Sequence, residues 1–509
     1  MIYRGCSSTR QRRRRGSLSN VGSVVAAMTL VIFGSSVQAD VTEMRDEENR
    51  RAVVTYKMTV TPAVQPKPLL KHRFTVLPME KIPGNAITHY LRSLGENSLD
   101  SPNDYVFKTY GVEAFSWYGT EIKTEDIPVE KLRDACKVFD GYIENHLRRA
   151  TFCRDCDWGL AEETLRGKET IGFLLPSVQQ TRSMARALML RNRLAIIDGR
   201  YEDSIDHLRM TYQLGQNTAK MKFLVSALVG FAEVGMANEG LLHLIAAKDS
   251  PNMYWAIAEL PHPIISIREA LRLESSFATR YFPVLENVET AKHSPEQWSE
   301  LLADLTSSFT EISGLTGGRR SKKTLGMDLN FLAAGAGLVG YPQAKKRLLE
   351  SGMESAEVEK MAVAHVMLLD AARDYRQYAD AVEAAYYLPF TEFKTHSDKW
   401  ENRMRTEGTP GRLGAMLANM LLPAVMQVRI AEERVNTQIN ALLAVEAIRD
   451  HLATHGKFPM TLDEMELPVR LNTNTGKPFG YEVKGETAIL DVKTRNANYR
   501  YEIQMATGK

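Results

Sequence analysis

Only four of the 509 residues are cysteine, too few for a disulfide-built scaffold or a multi-cysteine metal framework. The usual chemical signatures are absent as well. There is no G-x-S-x-G elbow, no glycine-rich dinucleotide fingerprint, no EF-hand loop and no H-E-x-x-H, so no familiar hydrolase, nucleotide, calcium or zinc chemistry is announced by spacing. Neither sign of charge dominates, with 64 bases against 62 acids, which excludes a strongly basic nucleic-acid binder. Beyond the N-terminus no uninterrupted apolar run reaches the roughly 20 residues that a membrane span needs. No cofactor, no metal and no nucleic-acid partner is expected. What is present is an ordinary globular composition, 44% hydrophobic and 25% charged, long enough for two or three domains with sizeable cores.

The N-terminus reads as a secretory leader. Residues 1–39 hold six arginines (Arg4, Arg10 and Arg12 to Arg15) and no acid, then an apolar stretch over 24–33, then Val37-Gln38-Ala39 with small residues at the cleavage positions. That order is a signal peptide cut after Ala39; the alternative is an uncleaved leader that tethers the protein. Removal changes the balance to 58 bases against 62 acids, a mildly acidic exported chain, periplasmic or extracellular. Cys6 leaves with the leader, so Cys136, Cys153 and Cys156 remain, and at most one disulfide can form among them.

Past the leader, residues 40–83 read as an arm with short strands, because VVTYKMTV and HRFTVLP are β-prone and are separated by Pro62, Pro66 and Pro68. Helical spacing takes over in a body spanning 84–313. Its clearest stretch is 187–215, where Leu188, Leu194 and Ala195 mark one apolar face and Tyr201, Ile205, Leu208 and Tyr212 another, on either side of Asp198-Gly199-Arg200; two antiparallel helices are expected. The stretch 221–247 is apolar but interrupted by Lys222, Glu233 and Glu239, the mark of a buried helix. Residues 314–324 form a basic, glycine-rich loop. A second helical segment covers 325–426, in which one helix is expected over 354–388, capped by Ser355 and ended by Pro389. From 427 onward comes a long helix stopped by Gly456, then a hairpin about Lys484-Gly485 and a third strand carrying Tyr499, Tyr501 and Ile503.

Few residues invite chemistry. Cys153-Arg154-Asp155-Cys156 has disulfide or metal spacing, but no second paired spacing accompanies it, so a structural disulfide or unreactive thiols is the reading. His451 and His455 share a helix face, yet Leu452 stands where a metalloprotease places its glutamate, and histidines in a last helical turn are accounted for by the dipole. His365 falls on an apolar stripe and is read as a core histidine. Gly317-Gly318-Arg319-Arg320 and Gly476-Lys477-Pro478 both miss the order of a phosphate-binding loop.

Three resemblances add to this. The turn Gly199-Arg200-Tyr201-Glu202-Asp203 is similar to one tetratricopeptide-like unit. His455-Gly456-Lys457-Phe458-Pro459, Leu462-Asp463-Glu464 and Thr475-Gly476-Lys477-Pro478-Phe479 resemble a pseudopilin-type head, which implies a helix leading into a small sheet. Gly84-Asn85-Ala86, Cys156-Asp157-Trp158-Gly159 and Tyr254-Trp255-Ala256 with Leu260-Pro261 resemble a family of exported, mostly helical planctomycete-type proteins of unknown function. The expectation is a mainly α fold: an irregular, tetratricopeptide-like or α-solenoid-like body of helix pairs, a short β-prone arm, and a C-terminal α+β module over 427–509. The function expected is protein–protein interaction without catalysis; a hydrolase with a site assembled from scattered histidines and acids is the alternative.

Overall fold

The computed structural model describes residues 41–45, 52–95, 102–120, 122–160, 175–315, 329–409, 411–495 and 497–506. They fall into a larger unit, Ser36–Ala291 with Leu368–Lys509, and a smaller one whose described residues lie within Lys292–Met367. The fold is mainly helical with a small sheet.

In the larger unit the helix pair expected over 187–215 forms as α1 (Leu175–Ile197) and α2 (Tyr201–Ala219). Gly199 adopts a left-handed φ of 69°. The carbonyls of Ile196 and Ala195 accept the N–H groups of Gly199 and Arg200 at 3.0 and 2.8 Å, a tight stop that only glycine enters without strain. Leu188, Ala195, Leu208 and Tyr212 are fully buried, as the stripes require. The helix read over 221–247 is α3 (Leu224–Ala246), which packs on both α1 and α2. By length and composition α3 could cross a membrane; here Val234, Ala237, Leu241 and Leu244 are buried in the core. Gly215 of α2 and Gly230 of α3 let the two backbones touch: a Cβ on Gly230 would stand 2.5 Å from the Gly215 carbonyl oxygen.

The N-terminal arm is not a separate element. Strands β1 (Val41–Arg45) and β2 (Ala52–Val60) join β5 (Gly480–Lys484), β6 (Thr487–Lys493) and β7 (Ala497–Met505) in one sheet of order β1-β2-β7-β6-β5. The hairpin about Gly485 and the third strand form as expected. The parallel pairing of β2 with β7, Tyr56 opposite Tyr501 and Val60 opposite Met505, was not expected. It makes the helical body the crossover that every parallel pair requires. Tyr56, Met58 and Val60 alternate inward while Lys57 and Thr59 face water, and the Tyr56 ring stacks on Tyr501 at 5.2 Å. A separate two-stranded sheet pairs β3 (Ile82–Asn85) with β4 (Cys153–Asp155). The second β-prone run, HRFTVLP, forms no strand; Phe74 and Val76 are instead pegs, 2% and 8% exposed.

The long C-terminal helix, α4 (Pro423–His455), ends as read, at Gly456 with φ 69°. Its C-terminal third grips the arm. Arg449 and Glu446, both fully buried, pair at 3.0 Å, and the guanidinium also donates to the carbonyls of Thr61 and Ser250 at 3.1 and 2.9 Å. Asp450 accepts the Gln65 N–H at 2.9 Å.

The smaller unit contains the helices Pro295–Leu315 and Leu329–Glu350 and the short helix Ser355–Val358. The single helix expected over 354–388 is two. Ser355–Val358 closes at Glu359, and Val363–Tyr386 begins afresh, with Glu354, not Ser355, at the N-cap. Val358 is fully buried while Val363 is half exposed, so packing overrides a sequence that has no proline or glycine at the break.

Candidate functional site

The smaller unit holds a cleft of about 630 Å³, within the size range of ligand sites. Its floor follows from the sequence His293-Ser294-Pro295-Glu296-Gln297-Trp298. Ser294 precedes the helix, and its Oγ accepts the Gln297 N–H at 3.3 Å while Gln297 Oε1 accepts the Ser294 N–H at 2.9 Å. This is a reciprocal capping box with proline at the first helical position. The box sets His293 and Trp298 at the two staple positions, and their rings meet edge to face at 4.7 Å and 85°. His365 covers the indole from another direction, stacked at 4.1 Å and 3°. Trp298 is thereby 3% exposed.

The rim comes from the broken helix. Glu354, Ala356 and Glu357 line the cleft with Lys360, Met361 and Ala362. The turn that makes this possible is held by Lys360 and Met361 N–H groups on the carbonyls of Glu357 and Val358, at 3.1 and 3.2 Å, and by an ion pair of Lys345 with Glu359 at 2.6 Å. Glu354, Glu357 and Lys360 are exposed, so two carboxylates face one ammonium above a ring-walled floor. Such a rim favours a basic group over an acidic one, and the exposed His293 ring, with the half-buried His365 ring, offers stacking surface while Trp298 supports both from below.

The residues singled out from sequence are distributed as follows. His365 lines this cleft. His451 and His455 stack on each other at 4.1 Å at the end of α4; burial holds the His451 imidazole below its ordinary range, and Thr454 bonds the His455 ring at 2.8 Å. Cys136, Cys153 and Cys156 carry free thiols. Burial pushes the Cys136 and Cys156 thiols up to about 12, and Cys156 Sγ lies 4.0 Å from the Asn217 carbonyl oxygen. Such thiols are poor nucleophiles. Among the described residues, no group of three His, Cys, Asp or Glu is placed to hold a metal. The Thr475-Gly476-Lys477 turn is closed on Asn472, whose carbonyl accepts Gly476 N–H at 2.8 Å and whose Oδ1 accepts Asn474 N–H at 2.9 Å; its donors are used internally. Ala39 and the loop 317–320 lie outside the described residues.

Sequence reasoning passed over His293 and Trp298, although the S-P-E-Q box between them is a local signal for a staple. It also passed over the buried carboxyls. Glu432 on α4 accepts from Arg429 at 2.7 Å and from the Tyr386 hydroxyl at 3.2 Å. The Arg429 guanidinium lies over the Tyr386 and Phe390 rings, 5.1 and 5.6 Å from their centroids. Burial pushes the Glu432 carboxyl up to about 7. Glu233 on α3 is also pushed to about 7 by burial, against a smaller pull from Thr181, Thr218 and Arg182. Both glutamates are fully enclosed; a substrate has no approach to them, and their role is in the core.

No family model, no curated protein and no solved structure matches this chain.

Proposed function

We propose that this is an exported, non-enzymatic interaction protein, and that the cleft floored by Trp298 binds an extended segment of a partner protein bearing a basic side chain. The cleft itself carries the reading: an ordered ring cluster, His365 stacked on Trp298 and His293 edge-on to it, lined also by the exposed carboxylates of Glu354 and Glu357. Aromatic and aliphatic walls with a few charges at the rim suit a peptide segment. The planctomycete-type resemblance agrees with export and adds no activity.

The test is site-specific photo-crosslinking in the exported fraction, with the photoreactive residue at Ala356 and, as a control, at the exposed Val138. A partner captured from position 356, displaced by oligolysine and lost in a Glu354→Gln/Glu357→Gln protein, supports the reading. Equal capture from both positions contradicts it. A hydrolase is the second reading, favoured by His365 sharing one cleft with two carboxylates. Ester or peptide hydrolysis abolished by His365→Asn, with the melting temperature of the variant retained, would establish it instead.

A further inference from the structure

A second surface stands out in the larger unit. Between Thr61 and Met79 the chain has no acid, but it carries Lys67, Lys71, His72 and Arg73. Both flanks of this stretch are fixed. Upstream, the Ala63 N–H donates to the Arg449 carbonyl at 3.3 Å, Gln65 is held by Asp450, and Trp255 Nε1 donates to Gln65 Oε1 at 2.8 Å. Downstream, His72 is 4% exposed, Arg73 pairs with Glu259, and Phe74 is buried against the Tyr212 ring.

The five residues between these anchors, Lys67-Pro68-Leu69-Leu70-Lys71, are all exposed. The Lys71 N–H donates to the Pro68 carbonyl at 3.0 Å, closing a turn whose corners are Leu69 and Leu70, 46% and 44% exposed. Turn corners ordinarily go to glycine, asparagine or aspartate; two leucines there place apolar surface at the tip of a rigid projection. Neither flanking lysine has an ion pair among the described residues.

We propose that this tip docks the protein on an anionic lipid surface, with Leu69 and Leu70 entering the boundary between headgroups and acyl chains and Lys67 and Lys71 resting on lipid phosphates. An apolar tip backed by bases matches a bilayer, which presents negative charge above an apolar layer. A five-residue projection is much smaller than the roughly 800 Å² per partner of a stable protein interface, which decides against a protein groove. Attachment through two leucines and two lysines is weak and reversible.

The test is co-sedimentation of the chain from residue 40 onward, which retains every described residue, with vesicles of 30% phosphatidylglycerol in phosphatidylcholine or of phosphatidylcholine alone. The expected result is binding to the anionic vesicles that is on the order of tenfold weaker on neutral ones. Leu69→Ser/Leu70→Ser should lose binding to both, and Lys67→Gln/Lys71→Gln should lose only the preference for anionic lipid, each with an unchanged melting temperature. No binding by the unaltered chain, equal binding to both vesicle types, or undiminished binding by the leucine variant overturns the proposal.

Discussion

The helix α4 and the cleft of the smaller unit both carry charged groups beside rings, and they use them in opposite ways. On α4 the charges turn inward: Arg449 serves Glu446 and two backbone carbonyls, Arg429 serves Glu432 and Glu433, and Asp450 holds Gln65. In the cleft the rings are ordered by one another while Glu354, Glu357 and Lys360 stay in water. The difference separates two meanings of a polar residue. A buried, paired charge specifies how the chain closes on itself, and an exposed charge above an ordered floor is available to something else.

The contrast can be broken most severely at the sheet. Deleting residues 494–509 removes β7, the parallel partner of β2, and is expected to uncover the β7-facing edge of β2 while the segment from Ala63 to Phe74 keeps its anchors. Hydrogen exchange should then show loss of protection over residues 57–60, which pair with β7 alone, and on the β7 edge of β6; protection retained over 57–60 would deny the shared sheet. Next in size, Arg449→Ala leaves Glu446 buried without its partner and should cost roughly 3–5 kcal/mol in denaturant unfolding. A loss near zero would place the pair among ornamental ion pairs.

Glu233 gives a test in pH. Its carboxyl keeps its proton up to about 7 in the fold, whereas in the unfolded chain it ionises near the usual 4.5. The folded state therefore binds more protons between those values, and stability falls as pH rises from about 4.5 through 7. Glu233→Gln should remove that part of the slope and gain on the order of 3 kcal/mol at pH 8, read as the melting temperature of both proteins across the range. An unaltered slope would show that Glu233 ionises normally. The smallest effect is expected at the staple: His293→Ala should cost about 1 kcal/mol or less, but it should loosen Trp298, seen as a shift in its fluorescence. No spectral change would detach His293 from the floor.

What the sequence displayed depended on how far apart the cooperating residues lie. The Gly199 turn, the stop at Gly456 and the Lys484-Gly485 hairpin are local, and each formed where its spacing placed it. The β2–β7 pairing was invisible, because two strands at opposite ends of a chain carry no mutual periodicity. Phe74 and Val76 misled in the other direction: β-prone residues between prolines became pegs for the core. The break before Val363 has no glycine or proline to announce it and follows from the burial of Val358. The site shows the same division. Two of the three rings of its floor, His293 and Trp298 across a capping box, are written locally, while His365 carries no local mark that sets it apart from a core histidine.

The most direct measurement of the central claim is a titration of the purified protein with three extended peptides that differ only at the central residue, lysine, serine or glutamate. Exposed carboxylates contribute about 0.2–1 kcal/mol each to an ion pair, so the lysine peptide should bind about three- to tenfold more tightly than the glutamate peptide, and Glu354→Gln/Glu357→Gln should erase the difference without lowering the melting temperature. Equal affinities for all three peptides, or a lysine preference that survives the double substitution, would contradict the assignment of this cleft as the partner site.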